Sequence, residues 1–289
     1  MKRSIFITII LSALLLVSCA EPAQQTLELP NRQGWSRDLP TLTGDIEGVI
    51  ITRYFTKRKG KEFVKASIES RESYKFNQKG DVIEKIEYDT KGLPWAKCIY
   101  KYEADGRMVE QAWYKKDGTL DWRALYKHDR KGLIIEETCY NADETKRSIS
   151  LYKYDDKGNK IEEASYDGTG VLQWVVFCQY NEGGNLLEEA GYYSSGALDY
   201  KFLNKYDAEG KLVKSTEYDI DEKPMRSIAY TYNPEGQLTE EDIFDEKNKL
   251  ISKWHYTYDP RNNVVKIAPT INSTEPYSII TELEISYRE

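Results

Sequence analysis

Tyr152-Lys-Tyr-Asp-Asp-Lys-Gly-Asn-Lys-Ile-Glu-Glu-Ala-Ser-Tyr-Asp-Gly-Thr-Gly170 is one copy of a 26-residue unit that occupies most of this chain. Laid out from Tyr74, Tyr100, Tyr126, Tyr152, Cys178, Asn204, Tyr230 and Tyr256, the unit runs seven times without an insertion. It then begins an eighth time and ends near Ile267. The shared form is Tyr-x-Tyr-(Asp/Asn)-x-x-Gly-x-(Leu/Val/Ile)-(Ile/Val)-Glu-x-x-x-Tyr-Asp-x-x-Gly. A fixed period in this range marks an array of identical supersecondary units that bury their faces on one another.

Each unit punctuates itself twice. The first turn ends on Gly80, Gly106, Gly132, Gly158, Gly184, Gly210 or Gly236. An Asx residue (Glu103 in the second copy), two turn formers and a glycine fit a type I turn closed by a left-handed glycine in a G1 bulge, which joins antiparallel strands. Asn262, the next best left-handed residue, takes the glycine place in the eighth copy. The second turn, as in Asp89-Thr-Lys-Gly92, has the same form, with Glu144, Glu222 and Asn248 in place of its glycine. Between turns lie alternating stretches of about eight and ten residues with no helical period. The array is therefore read as a long antiparallel meander.

The turn geometry predicts a register in which Tyr232 lies opposite Leu238, Thr231 opposite Thr239 and Tyr230 opposite Glu240. One face then collects the Tyr-x-Tyr residues, the column Val82, Met108, Ile134, Leu186, Leu212 and Leu238, and the column Tyr88, Tyr114, Tyr140, Tyr166, Tyr192, Tyr218 and Phe244. Glu84, Glu110, Glu136, Glu162, Glu188 and Glu240 are expected in the middle of that face, accepting bonds from tyrosine hydroxyls or lysines. The opposite face carries a narrower apolar seam, with Ile135 beside Leu151 and Ile161 beside Phe177, flanked by Lys75, Lys101, Lys127 and Lys153. Two partly apolar faces disfavour a flat layer. The expected fold is all-β, a repetitive antiparallel β-meander of two-strand units twisted or coiled into an open shell or solenoid-like sheet.

The ends differ from the array. Residues 1–18 have a positive start, Lys2 and Arg3, an apolar run from Ile5 to Val17, and the close Leu16-Val17-Ser18-Cys19. This resembles the bacterial lipobox, which implies a lipoprotein signal peptide and lipidation of Cys19. Residues 19–44 then form a flexible tether. Residues 45–73 and 268–289 lose the frame and are expected as N-terminal and C-terminal β caps on the edges of a 74–267 array.

Lys and Arg number 41 against 48 Asp and Glu, so no basic groove is available for nucleic acid. Cys98, Cys139 and Cys178 fall in different columns, beyond disulfide reach of one another, and are expected as free thiols. His128 and His255 share no ligand spacing with them, so neither a metal nor another cofactor is expected. Most of the 23 tyrosines occupy repeat columns and read as a core ladder. Trp95, Trp113, Trp122, Trp174, Tyr193, Tyr200 and Trp254 vary between copies and are the candidate ligand contacts.

The units Tyr154-Asp-Asp-Lys-Gly158, Tyr166-Asp-Gly-Thr-Gly170, Tyr206-Asp-Ala-Glu-Gly210 and Tyr232-Asn-Pro-Glu-Gly236 resemble the YD repeats of the Rhs family over about two thirds of the chain. The turn and strand order is also similar to MORN-like hairpin repeats. The Rhs resemblance implies hairpins spiralling into a shell, extracellular display and, in some relatives, carbohydrate binding or enclosure of a toxin segment. The array here is short, without a toxin-like domain or self-cleavage motif after it, so an open or half-closed coil is expected. The resulting expectation is a lipid-anchored protein of the bacterial envelope, at the outer membrane, offering a non-catalytic binding or scaffolding surface to a protein or glycan. A structural envelope protein facing the periplasm, and a glycan-active enzyme using a Glu pair, are the other readings.

Overall fold

The computed structural model describes residues 26–27, 42–271 and 278–288. The expected signal peptide, Cys19 and most of the tether lie outside the described residues. Two short strands come first, β1 (Thr26–Leu27) and β2 (Leu42–Thr43), paired antiparallel. A long hairpin follows, β3 (Ile46–Lys59) and β4 (Glu62–Phe76). The array supplies β5 (Val82–Tyr88), β6 (Pro94–Tyr102), β7 (Met108–Lys115), β8 (Leu120–His128), β9 (Ile134–Asn141) and β10 (Lys146–Tyr154). It continues through β11 (Lys160–Asp167), β12 (Leu172–Tyr180), β13 (Leu186–Tyr193), β14 (Leu198–Tyr206) and β15 (Leu212–Tyr218). The last strands are β16 (Pro224–Tyr232), β17 (Leu238–Asp245), β18 (Leu250–Tyr258), β19 (Val264–Ile271) and β20 (Ile279–Tyr287).

From β3 to β20 each strand pairs antiparallel with the next, and β20 pairs with β3 from Ile279–Phe55 to Tyr287–Ile46, so the sheet closes into a barrel. The expected open shell or solenoid is thereby corrected. The segments expected to cover two separate edges pair with each other instead, which satisfies both rows of backbone donors and acceptors at once. The first turns, the start of β3 and the end of β20 form one rim. The second turns form the other.

The first rim holds the closure. Asn263, fully buried, accepts from the Thr43 amide at 2.6 Å and donates to the Thr43 carbonyl at 2.8 Å and the Tyr287 hydroxyl at 2.7 Å. Tyr287 donates onward to Asp259 at 2.6 Å. Arg288 donates to the carbonyls of Phe76 (2.8 Å) and Asn77 (2.6 Å) and pairs with Asp45. Leu42, Ile46, Val49 and Ile51 pack beneath with Tyr74, Phe76 and Leu283.

The turns have the predicted form. In the first, Asn77 bonds through its amide to the Asp81 carbonyl and its side chain accepts from the Lys79 and Asp81 amides, at 2.8 to 2.9 Å. Left-handed backbone occurs at the turn glycines and, outside glycine, at Glu144, Glu222, Asn248 and Asn262. A second interaction then locks copy to copy. The second tyrosine of Tyr-x-Tyr donates to a carbonyl at the start of the preceding strand, which belongs to the previous copy: Tyr102 to Val82, Tyr154 to Ile134, Tyr180 to Lys160, Tyr206 to Leu186, Tyr232 to Leu212 and Tyr258 to Leu238, at 2.7 to 2.9 Å. Burial lifts the Tyr232 and Tyr258 hydroxyls to about 12, which keeps them as donors.

The register departs from expectation by one residue. Tyr232 does pair with Leu238, but Thr231 pairs with Glu240 and Tyr230 with Glu241, because Thr239 is bulged out. The same bulge recurs at the other first hairpins of the array. One extra residue turns every following side chain to the other face. Glu84, Glu110, Glu136, Glu162, Glu188 and Glu240 therefore stand on the outer face. There they pair with Lys97 (2.5 Å), Lys101 (3.0 Å), Lys127 (2.8 Å), Lys153 (2.8 Å), Lys201 (3.2 Å) and Lys253 (2.9 Å). The Tyr88 to Phe244 column follows them outward, as in the pairing of Tyr88 with Arg71 and its hydroxyl contact to Ser73 at 3.0 Å.

The inner face keeps the Val82, Leu186 and Leu212 column, which is buried, and the first tyrosines, buried at Tyr74, Tyr100, Tyr230 and Tyr256 and half-buried at Tyr126 and Tyr152. The outer seam is exposed on successive strands at Ile135, Leu151, Ile161, Phe177 and Leu187. A lysine facing lipid near the bilayer centre costs about 2–4 kcal/mol. The Lys–Glu pairs flank this seam with charge around the wall.

Asn263→Ala should lower stability by about 2–3 kcal/mol, since it takes the side-chain partner from both the amide and the carbonyl of Thr43 at the first rim. The urea midpoint reads this directly. A change below about 0.5 kcal/mol would mean that closure does not depend on this contact.

Candidate functional site: the inner wall of the barrel

The repeat consensus fixes the frame and leaves particular inner positions free. The two flanks of the second hairpin carry Glu87, Trp113, Cys139, Ser165, Gly191, Glu217 and Ile243 on one strand of each copy. The facing strands carry Ala96, Trp122, Ser148, Trp174, Tyr200, Arg226 and Ser252. Each of these side chains shares the inner face with a first-tyrosine column, through pairs such as Trp113–Cys98, Trp122–Trp113 and Trp174–Ser165. The inner wall is thus uniform in frame and different in every copy in what it presents.

The wall divides into two sectors. Around β15–β20 and β3–β6 the inner side chains are mostly buried, including Ile228, Trp254, Ile267, Leu283, Glu72 and Lys85. From β7 to β12 they are mostly half-buried: Gln111, Trp113, Trp122, Tyr126, Glu137, Ser148, Ser150, Tyr152, Lys160, Glu163 and Trp174. Water reaches this second sector. It forms a concave surface of indole rings, hydroxyls and carboxylates.

Polar partners in both sectors are specific. In the column one residue beyond the expected glutamates, Tyr126 donates to Gln111 (2.9 Å), Tyr152 to Glu137 (3.1 Å) and Tyr256 to Glu241 (2.7 Å), each 15 residues back in the chain. Tyr200 donates to Glu189 at 3.0 Å, and Lys160 to Glu163 at 2.5 Å. The expected tyrosine–glutamate ladder exists, displaced by one position and varied by Lys85, Gln111 and Ser215. In the packed sector Lys85 sits 2.8 Å from Glu72 and 3.2 Å from Glu87, and Arg53 2.7 Å from Glu72. Burial alone would raise the Glu72 carboxyl, but the charges of Arg53 and Lys85 outweigh it and pull the group down to about 2. Burial pushes Cys98 and Cys139 to about 11 and Cys178 to about 12, so all three remain thiols, and all three are free.

The aromatic candidates separate into three groups. Trp113 and Trp122 stack with centroids 5.9 Å apart and planes 20° apart, Lys85 lies 5.6 Å over the first ring and Arg147 5.9 Å over the second. Trp174 and Tyr200 stand further along the same concave wall, packed on Val176, Cys178 and Leu186. Trp254 is buried in the other sector against Tyr256, Val264 and Ile267. Trp95 and Tyr193 are exposed at the second rim, away from the rest. Sequence reasoning missed Lys85, Glu72, Arg53, Glu217 and Arg226. The available signal was the loss of consensus at those inner positions. Among the described residues no group of three or more His, Cys, Asp or Glu could hold a metal ion.

The chain is a closed antiparallel β-barrel built of hairpin repeats. No protein-family model matches it, and no curated protein does. Among solved structures it is similar to a porin-like protein from Bacteroides uniformis, at 7% identity over 83% of this chain and 98% of that one, with a TM-score of 0.47. It is also similar to TcdB2-TccC3-TEV, at 16% identity and a TM-score of 0.29 over 89% of this chain. The Photorhabdus luminescens Tc holotoxin pore gives 15% identity and 0.30 over 86% of this chain. This chain spans 15% of the length of each of those two.

Two outcomes follow from this geometry. A Cβ at Gly191 would lie 2.4 Å from the Tyr200 ring, so Gly191→Ala should displace that ring and break its bond to Glu189, costing about 1–3 kcal/mol. Chemical-shift changes confined to Gly191 and its own neighbours, with Tyr200 unmoved, would refute it. For Glu72, the folded chain holds its carboxylate down to about pH 2 while the unfolded chain takes up a proton near 4.5. Stability should therefore fall as pH drops through that window. Urea titrations should give a steeper acid limb for the natural chain than for Glu72→Gln; parallel limbs would remove Glu72 from the account.

Proposed function

We propose that this barrel is a non-catalytic binding protein of the bacterial envelope, carried on a lipid at Cys19, whose concave inner wall takes a glycan chain. The observation that carries the reading is the half-buried set Trp113, Trp122 and Trp174, with Tyr200 beside them, on one concave sector. Sugar rings present apolar C–H faces that lie on indole and phenol rings, and hydroxyls that bond to serines and carboxylates. A ligand surface of this kind is concave, largely aromatic and set with a few convergent polar groups. Ser148, Ser150, Glu137 and Glu163 supply such groups between Trp122 and Trp174. Strands β8 and β12 are four spacings apart, about 19 Å, a length suited to several sugar residues.

Binding without catalysis is supported by the state of the carboxylates. Glu137 and Glu189 each accept from a tyrosine, and Glu163 pairs with Lys160, so each has a partner suited to holding it still. A glycosidase needs two carboxylates in unlike environments facing one bond. The outer wall, charged and wet, agrees with tethering by lipid and not with insertion of the barrel itself.

Tryptophan fluorescence titrated with a panel of bacterial envelope and host oligosaccharides tests the reading. A binding glycan should be weakened at least about tenfold by Trp122→Ala, equivalent to about 1.4 kcal/mol, and not by Trp95→Ala. Release of new reducing ends would convert the reading to an enzyme. Silence across the panel would sink the glycan assignment and leave a protein ligand or a structural envelope role. Cys19→Ser should move the protein from the membrane to the soluble fraction.

A further inference from the structure

We infer that the second rim is a self-association surface, on which a basic arm of one copy docks against an acidic sector of a second copy. The arm is the end of the β3–β4 hairpin. β3 is paired with β20 up to Phe55, and β4 with β5 from Arg71 onward, so residues 57–65 project beyond the ring. Beyond the ladder the hairpin end leans across β20, with Lys65 on Glu282 and β4 close to β19. The projection carries Lys57, Arg58, Lys59, Lys61 and Lys65 against Glu62, a balance of +4 in a chain of net charge −7. Lys65 pairs with Glu282, while Lys57, Lys59 and Lys61 make no ion pair among the described residues.

The rest of the same rim has the opposite sign. The seven second turns of the array hold Asp89, Asp117, Asp143, Glu144, Asp167, Asp219, Asp221, Glu222, Asp245 and Glu246. Against these ten acids stand Lys91, Lys115, Lys116 and Lys247, a balance of −6. The rim also exposes large apolar side chains at Leu93 (51%), Val171 (58%), Tyr193 (49%) and Ile220 (68%). The acidic turn at 219–222 and its neighbour at 245–248 surround Ile220, so charge and apolar surface coincide there.

A second copy satisfies both features. A two-fold axis in the plane of the rim carries the arm of each barrel onto the β15–β18 sector of the other, so two equivalent contacts form together. Arm-to-arm pairing is excluded by like charge, the usual protection of a free edge by lysines. Eighteen strands at about 4.8 Å give a perimeter of at least about 86 Å. With a wall about 10 Å wide the rim offers about 860 Å², close to the about 800 Å² per partner of a stable interface. An anionic membrane would suit the arm but would repel the ten acids around it. The N-terminal segment leaves from the first rim, at Ile46, so it does not compete for this surface.

Sedimentation velocity of the purified full chain, from about 1 to 100 µM protein and about 50 to 500 mM salt, reads the association. The natural chain should dimerise at low salt and dissociate at high salt. An arm variant (Lys57→Glu, Arg58→Glu, Lys59→Glu and Lys61→Glu) and a rim variant (Asp221→Lys, Glu222→Lys and Glu246→Lys) should each be monomeric. Mixed in equal amounts they should form a mixed dimer, because each arm then meets a rim of opposite charge. These side chains are exposed, and circular dichroism checks that both variants keep the natural strand signal and melting point. The proposal is overturned if the natural chain stays monomeric throughout, if either variant still dimerises alone, or if the mixture fails to associate. Flotation of a monomeric natural chain with anionic phospholipid vesicles, lost in the arm variant, would also overturn it and assign the arm to a lipid surface.

Discussion

Everything in this barrel depends on a single extra residue at each first hairpin. The turn brings Tyr232 and Leu238 together, and the bulge at Thr239 then shifts the partner of Thr231 to Glu240. Because side chains alternate with a period of two, that residue decides which half of each following strand faces the interior. In six of the seven full copies it sends a glutamate outward to a lysine, and it brings the next position to the inner face beside the tyrosines. A barrel without the bulge would bury the regular carboxylates and expose the variable ones.

The bulge also explains how a repeated sequence can make an unrepeated interior. The consensus residues are spent on turns, on the tyrosine bonds that reach a carbonyl of the previous copy, and on the outer ion pairs. These recur in most copies because each solves the same local problem of joining one hairpin to the next. The inner flanks of the second hairpin have no such duty. Trp122, Ser148, Trp174, Tyr200 and Arg226 occupy equivalent places in successive copies, and the inner wall differs sector by sector for that reason. Closure completes the separation: with β20 on β3 there is no free sheet edge around the ring, and the two rims become the places where copies, tether and arm can differ.

Turn chemistry was the most legible part of the chain. Glu144, Glu222, Asn248 and Asn262 were identifiable as left-handed positions from their place in the period, and all four have positive φ. The all-antiparallel order and the inward Tyr-x-Tyr and leucine columns were legible for the same local reason. The glutamate column and the Tyr88 column were assigned to the wrong face because a bulge leaves no residue type of its own. Its position is held by valine, isoleucine, leucine or threonine, which fit a regular strand equally well. Of the aromatic candidates, the variation between copies marked out Trp113, Trp122, Trp174 and Tyr200, which do share a concave wall, but could not separate them from Trp95 and Tyr193 on the rim or the buried Trp254.

By itself the sequence determined the period, the turn type at each corner and the antiparallel order of the strands, since these rest on contacts within a few residues. Only the tertiary structure decided that the ring closes, which face each column takes and which inner positions water reaches. Closure pairs Tyr287 with Ile46 and joins Asn263 to Thr43, contacts more than 200 residues apart that no local pattern encodes. The faces follow from a one-residue slip whose energy is shared with the whole sheet, so the free energy that selects them is gained only when the barrel is complete.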